Sequence, residues 1–558
     1  MLGYEIAAKS LSRAGLTAMF GVLGDGNLHV VSAYRGLQGT RYVAARHESG
    51  AVCMANGYAR AAGAVGVATV THGPGLTNAI TAITAAVTDH APVLVVLGDT
   101  PKNQPYHAQR LDHELALATS GARYVYVDDP NRIAGALAEA IEDCESRSRP
   151  VVVNIAAEAL MAEVSEDAPA VPRPTSNTAV QVAGPDPATV SAAVELMTAA
   201  RRPVVLAGAG ARRSAPEVAA LADRLGAPVC TSLLAHGLFR SHPRDLGVAG
   251  GFSSPRTREV LAQADLLVVF GAGLNKHTRA HGALFNGVPV IQVDREPAML
   301  GRQHPVGVGI VGDCADVARG LLAAMPESSD RVPVDLGEIA VRPEFDVEEP
   351  LDVRAEGTRR VVDPRLVLRR ADELLPSERT VVTDGGHFLE WPCRNLTVPD
   401  GEGFVLAIGA GSLGLGLPAA IGAAIARPER VSVAVVGDGG LMMSLPDLES
   451  AAREHARIVV FVINDQAYGA ELHKLRAAGF DESYGYFANP DFAALGTALG
   501  LDSFTVDSPD VVDEVLAQVV ERVTGRSYRP CLVNVEAARS AVSARVGNPA
   551  ASAAGGAA

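Results

Sequence analysis

Val431-Ser-Val-Ala-Val-Val436-Gly437-Asp438-Gly439-Gly440 and Ile458-Val-Val-Phe-Val-Ile463-Asn464-Asp465 are two apolar runs that each end on an acid, and Asp465 follows Asp438 by 27 residues. A short β-branched run bounded by turn residues reads as a strand buried on both faces. Between the two runs, Ser444 with Asp447 three residues on reads as a capping box that opens a helix reaching about His455. Strand, helix and strand of this length form a right-handed crossover, which puts both acids at the carboxyl ends of neighbouring parallel strands. Gly-Asp-Gly alone is a common turn. Paired with a second acid at the same sheet edge, two turns can face one ion: hard oxygen ligands there suit magnesium, which shares its shell with phosphate oxygens, and the glycines let backbone N–H groups approach an anion closely.

The same alternation of β-branched runs, Gly-rich turns and Ala-rich helical stretches recurs along the chain. The other clear runs are Ala64–Val70 and Pro92–Leu97 early on, and Pro203–Ala207, Leu266–Phe270 and Pro289–Val293 in the middle. This pattern predicts an α/β protein with three doubly wound parallel-sheet domains. Two Pro-rich polar stretches divide them, since neither composition propagates a helix or a central strand. The expected boundaries are an N-terminal domain over 1–165, a linker over 166–187, a central domain over 188–327, a linker over 328–363 and a C-terminal domain over 364–545. The Ala/Gly/Ser tail, 546–558, is expected to be disordered.

Composition excludes several classes of function. The 558 residues carry a net charge of -15, which opposes binding to a nucleic-acid backbone. No run of about 18 apolar residues offers a membrane span. The six cysteines are scattered and form no Cys-x-x-Cys pair, so neither a zinc site nor a disulfide framework is expected, and reduced cytoplasmic thiols are. The segment Met1–Lys9 holds Glu5 and Lys9 within its apolar pattern and starts an amphipathic helix rather than a secretion signal. Small-molecule chemistry remains.

The acid pair resembles the Gly-Asp-Gly to Asn-Asn cassette of thiamine diphosphate-dependent enzymes, with Asp465 standing where Asn is usual. That resemblance implies a thiamine diphosphate-binding fold in which Asp438, Asp465 and the carbonyl of Ala467 hold magnesium. Arg46-His47-Glu48-Ser-Gly50, followed by Gly57-Tyr-Ala-Arg60, is similar to the family's segment bearing the acid that meets ring N1′ of the cofactor, so Glu48 takes that role by resemblance. Gly409-Ala-Gly-Ser-Leu413-Gly-Leu-Gly-Leu-Pro418 resembles the wedge before Gly-Asp-Gly: Leu413 supports the bent cofactor, and the Gly411 carbonyl receives its 4′-amino group. The implied cofactor-binding set is Glu48, Gly411, Leu413, Gly437, Asp438, Gly439, Gly440, Asp465, Ala467 and Tyr468.

Thr71-His-Gly-Pro-Gly-Leu-Thr-Asn78 looks like the corresponding turn of acetohydroxyacid synthases, with His72 in place of Ser. Phe20-Gly-Val-Leu-Gly-Asp25-Gly-Asn-Leu28 resembles a loop of 2-oxoacid decarboxylases. Asp25, His72, His107 and Glu471 are therefore expected to handle protons at the substrate. Gln109 matches a Phe-Gln-Glu segment of the synthases, but Ala108 and Arg110 flank it.

The implied function is a lyase or carboligase similar to acetolactate synthases. It would decarboxylate a 2-oxoacid, then protonate the acyl anion equivalent or transfer it to an aldehyde, ketone or acyl-CoA. A 2-hydroxyacyl-CoA lyase or oxalyl-CoA decarboxylase type and a non-catalytic cofactor-binding subunit are the alternatives. In the family the acid and the diphosphate site come from different subunits, which implies a homodimer or homotetramer. Relatives use the central block for FAD, for an acyl-CoA nucleotide or for structure alone. Its turns at Gly208–Gly210 and Gly271–Lys276 are read as structural, so FAD is not favoured.

Overall fold

A computed structural model describes residues 1–164, 186–326, 333–336, 349–525 and 527–543. Each apolar run becomes a parallel strand, and the strands form three six-stranded sheets. The first has the spatial order Arg41–Ala44, Ala18–Gly21, Gly66–Val70, Val93–Gly98, Val151–Ile155, Arg123–Val127. The third runs Phe404–Ala407, Arg379–Asp384, Val431–Gly437, Ile458–Asn464, Cys531–Glu536, Asp502–Val506. In chain order both sheets read 2-1-3-4-6-5.

The central sheet runs Val308–Val311, Val290–Asp294, Leu266–Phe270, Pro203–Ala207, Val229–Thr231, Asp245–Val248, which is the 3-2-1-4-5-6 order of dinucleotide-binding folds seen from its other edge. Helices cover these sheets, so the chain is an α/β protein of three parallel-sheet domains.

The first and third domains share one apolar core. Ala51, Met54 and Ala55 of the helix Glu48–Ala62 lie in the same cluster as Leu417, Ala420 and Ile421 of the helix Gly416–Ala426. The two helices cross so closely that a Cβ on Gly57 would overlap the Ala419 carbonyl, and one on Gly422 the Met54 carbonyl. Small residues on both helices permit this approach. It matters for function because Glu48 opens the first helix and the Leu413 segment leads into the second.

Three expectations are corrected. Ser444 and Asp447 do not cap a single helix. A helix starts directly at Asp438 and runs to Ser444, and a second spans Asp447–Arg453. Pro446 enforces the break, since it has no N–H for the preceding turn. Pro187, the last residue assigned to the first linker, is already the first residue of the helix Pro187–Ala199, capped by Asp186. Part of the second linker belongs to the third domain. Ala355–Glu356 pairs antiparallel with Arg359–Arg360, Val361 and Val362 are fully buried in the third core, and Asp363 caps the helix Pro364–Leu374. The periodicity there is hidden because the ribbon is only two residues long on each side. Residues 165–185, most of 327–348 and the tail from 544 lie outside the described residues.

Candidate active site

Two strand ends of the third sheet bring the acid pair together. Asp438 opens its helix at the end of the strand Val431–Gly437 and is 4% exposed; Asp465 follows the adjacent strand Ile458–Asn464 and is 5% exposed. The Ala467 N–H donates to Asp465 Oδ1 at 3.0 Å, and the Gln466 and Ala467 amides also act on the Asp438 carboxylate, so the two turns touch. Gln466 adopts φ 58, which folds its turn over Asp438. The Ala467–Tyr486 bridge is bonded through Tyr468 N–H to the Gly485 carbonyl and Phe487 N–H to the Gln466 carbonyl, leaving the Ala467 carbonyl out of that ladder.

Residues that sequence reasoning missed complete the arrangement. Asn489 donates from Nδ2 to Asp438 Oδ2 at 2.7 Å and to Asn464 Oδ1 at 2.9 Å. Arg359 donates to the Asn464 carbonyl at 3.1 Å and Arg539 to the Asp465 carbonyl at 2.7 Å, which clamps the backbone of the turn from behind. His387 places Nε2 3.6 Å from Asp465 Oδ2 and meets Trp391 edge-on at 5.3 Å. Burial holds the His387 ring near pKa 4, hence neutral, so it offers Asp465 no counter-charge.

Asp384 organises the segment around Leu413. It ends the strand Arg379–Asp384, is fully buried, and accepts backbone N–H groups from Gly385 at 2.7 Å and Gly414 at 3.0 Å, with Leu415 and Gly416 also bonded. Leu413 leans on Gly385, where an added Cβ would come within 2.6 Å of its Cδ2, and stays 37% exposed at the cleft. Gly411 adopts φ +73 with open space around it. Tyr468 packs on Phe487 at 4.6 Å and on Gly439, where an added Cβ would meet its Cε1 at 2.6 Å. The signal for Asp384 is in the sequence, since Asp384-Gly385-Gly386 repeats the strand-end spelling of Asp438-Gly439-Gly440. Asn489 gives no such signal.

Burial pushes the Asp384 carboxyl up to about 7 despite its four backbone donors. A group raised in the folded state contributes stability that is fully present below its unfolded value, near 3.9, and is lost as pH rises through about 7. In thermal melts of the apoprotein, the wild type is therefore expected to lose ground against Asp384→Asn between about pH 4 and 7. Parallel pH profiles for the two proteins would contradict this.

The first domain holds the remaining candidates. Glu48 is the first residue of its helix, behind the N-cap His47, and accepts a hydrogen bond from Asn78 at 3.0 Å. His72 is buried, bonds Gln109 through Nε2 at 2.9 Å and meets His107 edge-on at 5.3 Å; the Asp25 charge also acts on it. The structure thus brings Asp25, His72 and His107 together. Burial lowers the His72 pKa, with the Gln109 bond opposing. Behind them, unforeseen from sequence, His113 accepts the Gly73 N–H at 3.0 Å and lies 3.5 Å from Asp99. Glu471 is not part of either cluster in this chain: it is largely exposed and pairs with Lys474 at 2.9 Å on one helix.

Glu48 bonds Asn78, and the segment that carries it meets the third domain at Asp447. The Glu48 turn packs on the helix Asp447–Arg453, beyond the far end of the seven-residue helix that starts at Asp438.

Family models for thiamine pyrophosphate enzymes match in chain order: the N-terminal TPP binding domain over residues 1–117, the central domain over 190–321 and the C-terminal TPP binding domain over 384–535. A probable 2-ketoarginine decarboxylase of Pseudomonas aeruginosa is 31% identical over 526 residues, covering 92% of this chain and 90% of that protein. The chain belongs to the thiamine pyrophosphate-dependent enzymes. A sulfoacetaldehyde acetyltransferase of Alcaligenes xylosoxydans xylosoxydans is 27% identical, covering 94% of this chain and 91% of that protein. A probable acetolactate synthase large subunit of Methanocaldococcus jannaschii is 28% identical, covering 93% and 90% respectively.

Within this thiamine pyrophosphate enzyme, which takes the cofactor also called thiamine diphosphate, the acid pair fits a bound cation. Burial raises the pKa of both Asp438 and Asp465, and repulsion from Asp438 raises Asp465 further. Two buried carboxylates on touching turns beside a neutral histidine make a hard-oxygen site that a divalent ion would neutralise.

The central domain is different. The turns at Gly208–Gly210 and Gly271 bond each other across the switch point, Gly208 N–H to the Phe270 carbonyl at 2.8 Å and Gly210 N–H to the Gly271 carbonyl at 3.1 Å. A Cβ on Gly208 would overlap the Gly271 carbonyl. Among the described residues no helix is long and apolar enough to cross a membrane, and the six cysteines are buried.

Proposed function

We propose that the chain is a magnesium- and thiamine diphosphate-dependent enzyme that decarboxylates a 2-oxoacid and then protonates the acyl anion equivalent or passes it to a second carbonyl compound. The observation that carries this reading is the convergence of Asp438 and Asp465 at adjacent strand ends, with Glu48 at the start of a helix in a separate domain. In this reading Asp438, Asp465 and the Ala467 carbonyl hold magnesium, and Gly437, Gly439, Gly440 and Tyr468 border the diphosphate. When bound, thiamine diphosphate supplies an acidic C2–H and an electron sink for a bond broken next to a carbonyl. Leu413 props the cofactor, the Gly411 carbonyl takes its amino group, and Glu48 holds a proton at ring N1′.

The Arg46 N–H beside Glu48 bonds Asp447, beyond the helix that starts at Asp438, and Glu48 itself bonds Asn78; in this reading a second copy of the chain completes each site, so the working unit is a homodimer or a dimer of dimers. Asp25, His72 and His107 then face the substrate from the first domain. Their juxtaposition supports proton handling at the substrate, since His72 meets His107 edge-on at 5.3 Å and bonds Gln109. The relatives' names span a decarboxylase, an acetyltransferase and a synthase, which fits one cleavage step with different fates for its product. The closed central switch point supports a structural domain rather than a site for FAD or CoA.

The test is mass spectrometry of products from a panel of 2-oxoacids, incubated with magnesium and thiamine diphosphate, with and without aldehyde acceptors. The expected result is cofactor-dependent release of carbon dioxide from at least one 2-oxoacid. Turnover of an acyl-CoA alone, with every 2-oxoacid inert, would contradict the reading.

A further inference from the structure

Asp447 stands outside the acid pair, yet it is an acid 3% exposed, between the first and third domains. It opens the helix Asp447–Arg453 but does not serve that helix alone. Its Oδ1 accepts the backbone N–H of Arg46 at 3.2 Å, two residues before Glu48, and the hydroxyl of Ser450 at 3.2 Å. Its Oδ2 lies against Gly50, two residues after Glu48, where a Cβ would overlap it. One carboxylate therefore holds the turn on both sides of Glu48. Oδ1 bonds the incoming backbone, and Oδ2 fills the space left by a missing side chain.

The rest of the helix fastens the same segment. The Arg46 side chain donates to Glu449 at 2.6 Å, Arg453 bonds both Glu449 and the Ala44 carbonyl, and Arg41 donates to Glu454 at 2.8 Å. These exposed pairs add little individually, since surface ion pairs are screened by solvent. The buried Asp447 contact differs, because burial pushes its carboxyl up to about 6 and removing it would strand the Arg46 N–H.

We propose that Asp447 is a positioning residue for Glu48: reaching from the third domain, its carboxylate fixes the Arg46–Gly50 turn and so sets where the Glu48 side chain leaves the first domain. The inference rests on the reading of Glu48 as the acid that meets ring N1′. Asn78 orients the Glu48 carboxylate through a side-chain bond, and Asp447 orients the backbone beneath it. Displacement of a catalytic group by about 1 Å costs on the order of 10²-fold in rate, so such a contact acts strongly without touching the cofactor.

The test uses the full-length protein with magnesium and thiamine diphosphate, in the variants Asp447→Ala, Asp447→Asn, Gly50→Ala and the Asp447→Ala/Gly50→Ala double. Readouts are hydrogen–deuterium exchange at C2 of the bound cofactor by NMR, cofactor Kd, and melting temperature. Asp447→Ala and Gly50→Ala are each expected to slow exchange at least about tenfold with Kd within about twofold. Asp447→Asn keeps an acceptor for the Arg46 N–H and is expected to restore part of the rate. The double variant should be no slower than the worse single, since loss of the carboxylate makes room for the new methyl group. Wild-type exchange rates in both single variants, with only the melting temperature lowered, would overturn the proposal. Glu48→Gln is the control: retained exchange there would refute the role of Glu48 itself, whereas its loss alongside unaffected Asp447 variants would refute the positioning role alone.

Discussion

Glu48→Gln is expected to lower turnover of the best 2-oxoacid by roughly 10²- to 10⁴-fold, the range for loss of one positioned acid–base group. The amide fills the same space and still offers an oxygen to Asn78, whose amide donates to Glu48 at 3.0 Å. What it lacks is an exchangeable carboxyl proton for ring N1′. The helix start is unchanged, because the N-cap is His47, which accepts from Ser49 N–H. Cofactor affinity should therefore fall far less than turnover. Steady-state kinetics together with cofactor Kd check this, and equal losses in both would point to a binding role for Glu48 instead.

The second large effect separates the two acids of the strand-end pair. Asp438→Ala is expected to abolish magnesium-dependent cofactor binding, because the loss removes a charged oxygen ligand and leaves Asn489 with only one of its two acceptors, Asn464. Asp465→Asn should keep magnesium-dependent binding, since the amide oxygen remains a hard ligand. It should also raise the melting temperature of the apoprotein, because burial and then repulsion from Asp438 make Asp465 costly to ionise in the folded state. Trp391, the single tryptophan, reports on this directly: its ring meets His387, which lies 3.6 Å from Asp465. Magnesium and thiamine diphosphate should change its fluorescence in the wild type and in Asp465→Asn, and leave it unchanged in Asp438→Ala. A response to magnesium in Asp438→Ala equal to the wild type would place the metal elsewhere.

The sequence exposed those parts of the site whose meaning is local. Asp438 and Asp465 abut strands with unbroken apolar runs, and the parallel order of those strands follows from the helix between them. The places of Glu48 at a helix start and of Leu413 before a helix are legible in the segments around them. Asn489 was not, because its role depends on a loop returning over two strand ends, and nothing in Ala488-Asn489-Pro490 marks that path. His387 and Arg539 act for the same reason across long separations, through tertiary burial rather than pattern. The spacing of Asp447 from Ser444 fits a local cap, but Pro446 breaks the helix there and the Asp447 carboxylate bonds the other domain. Glu471 is exposed in the single chain and pairs with Lys474 on its own helix.

The central claim is that this chain activates thiamine diphosphate through Glu48 while Asp438 and Asp465 hold it with magnesium. Hydrogen–deuterium exchange at C2 of the bound cofactor, followed by NMR in the wild type and in Glu48→Gln, tests that claim without reference to any substrate. Exchange far faster than in free cofactor is expected for the wild type, with a return toward the free rate in Glu48→Gln. Wild-type exchange no faster than that of free thiamine diphosphate would contradict it.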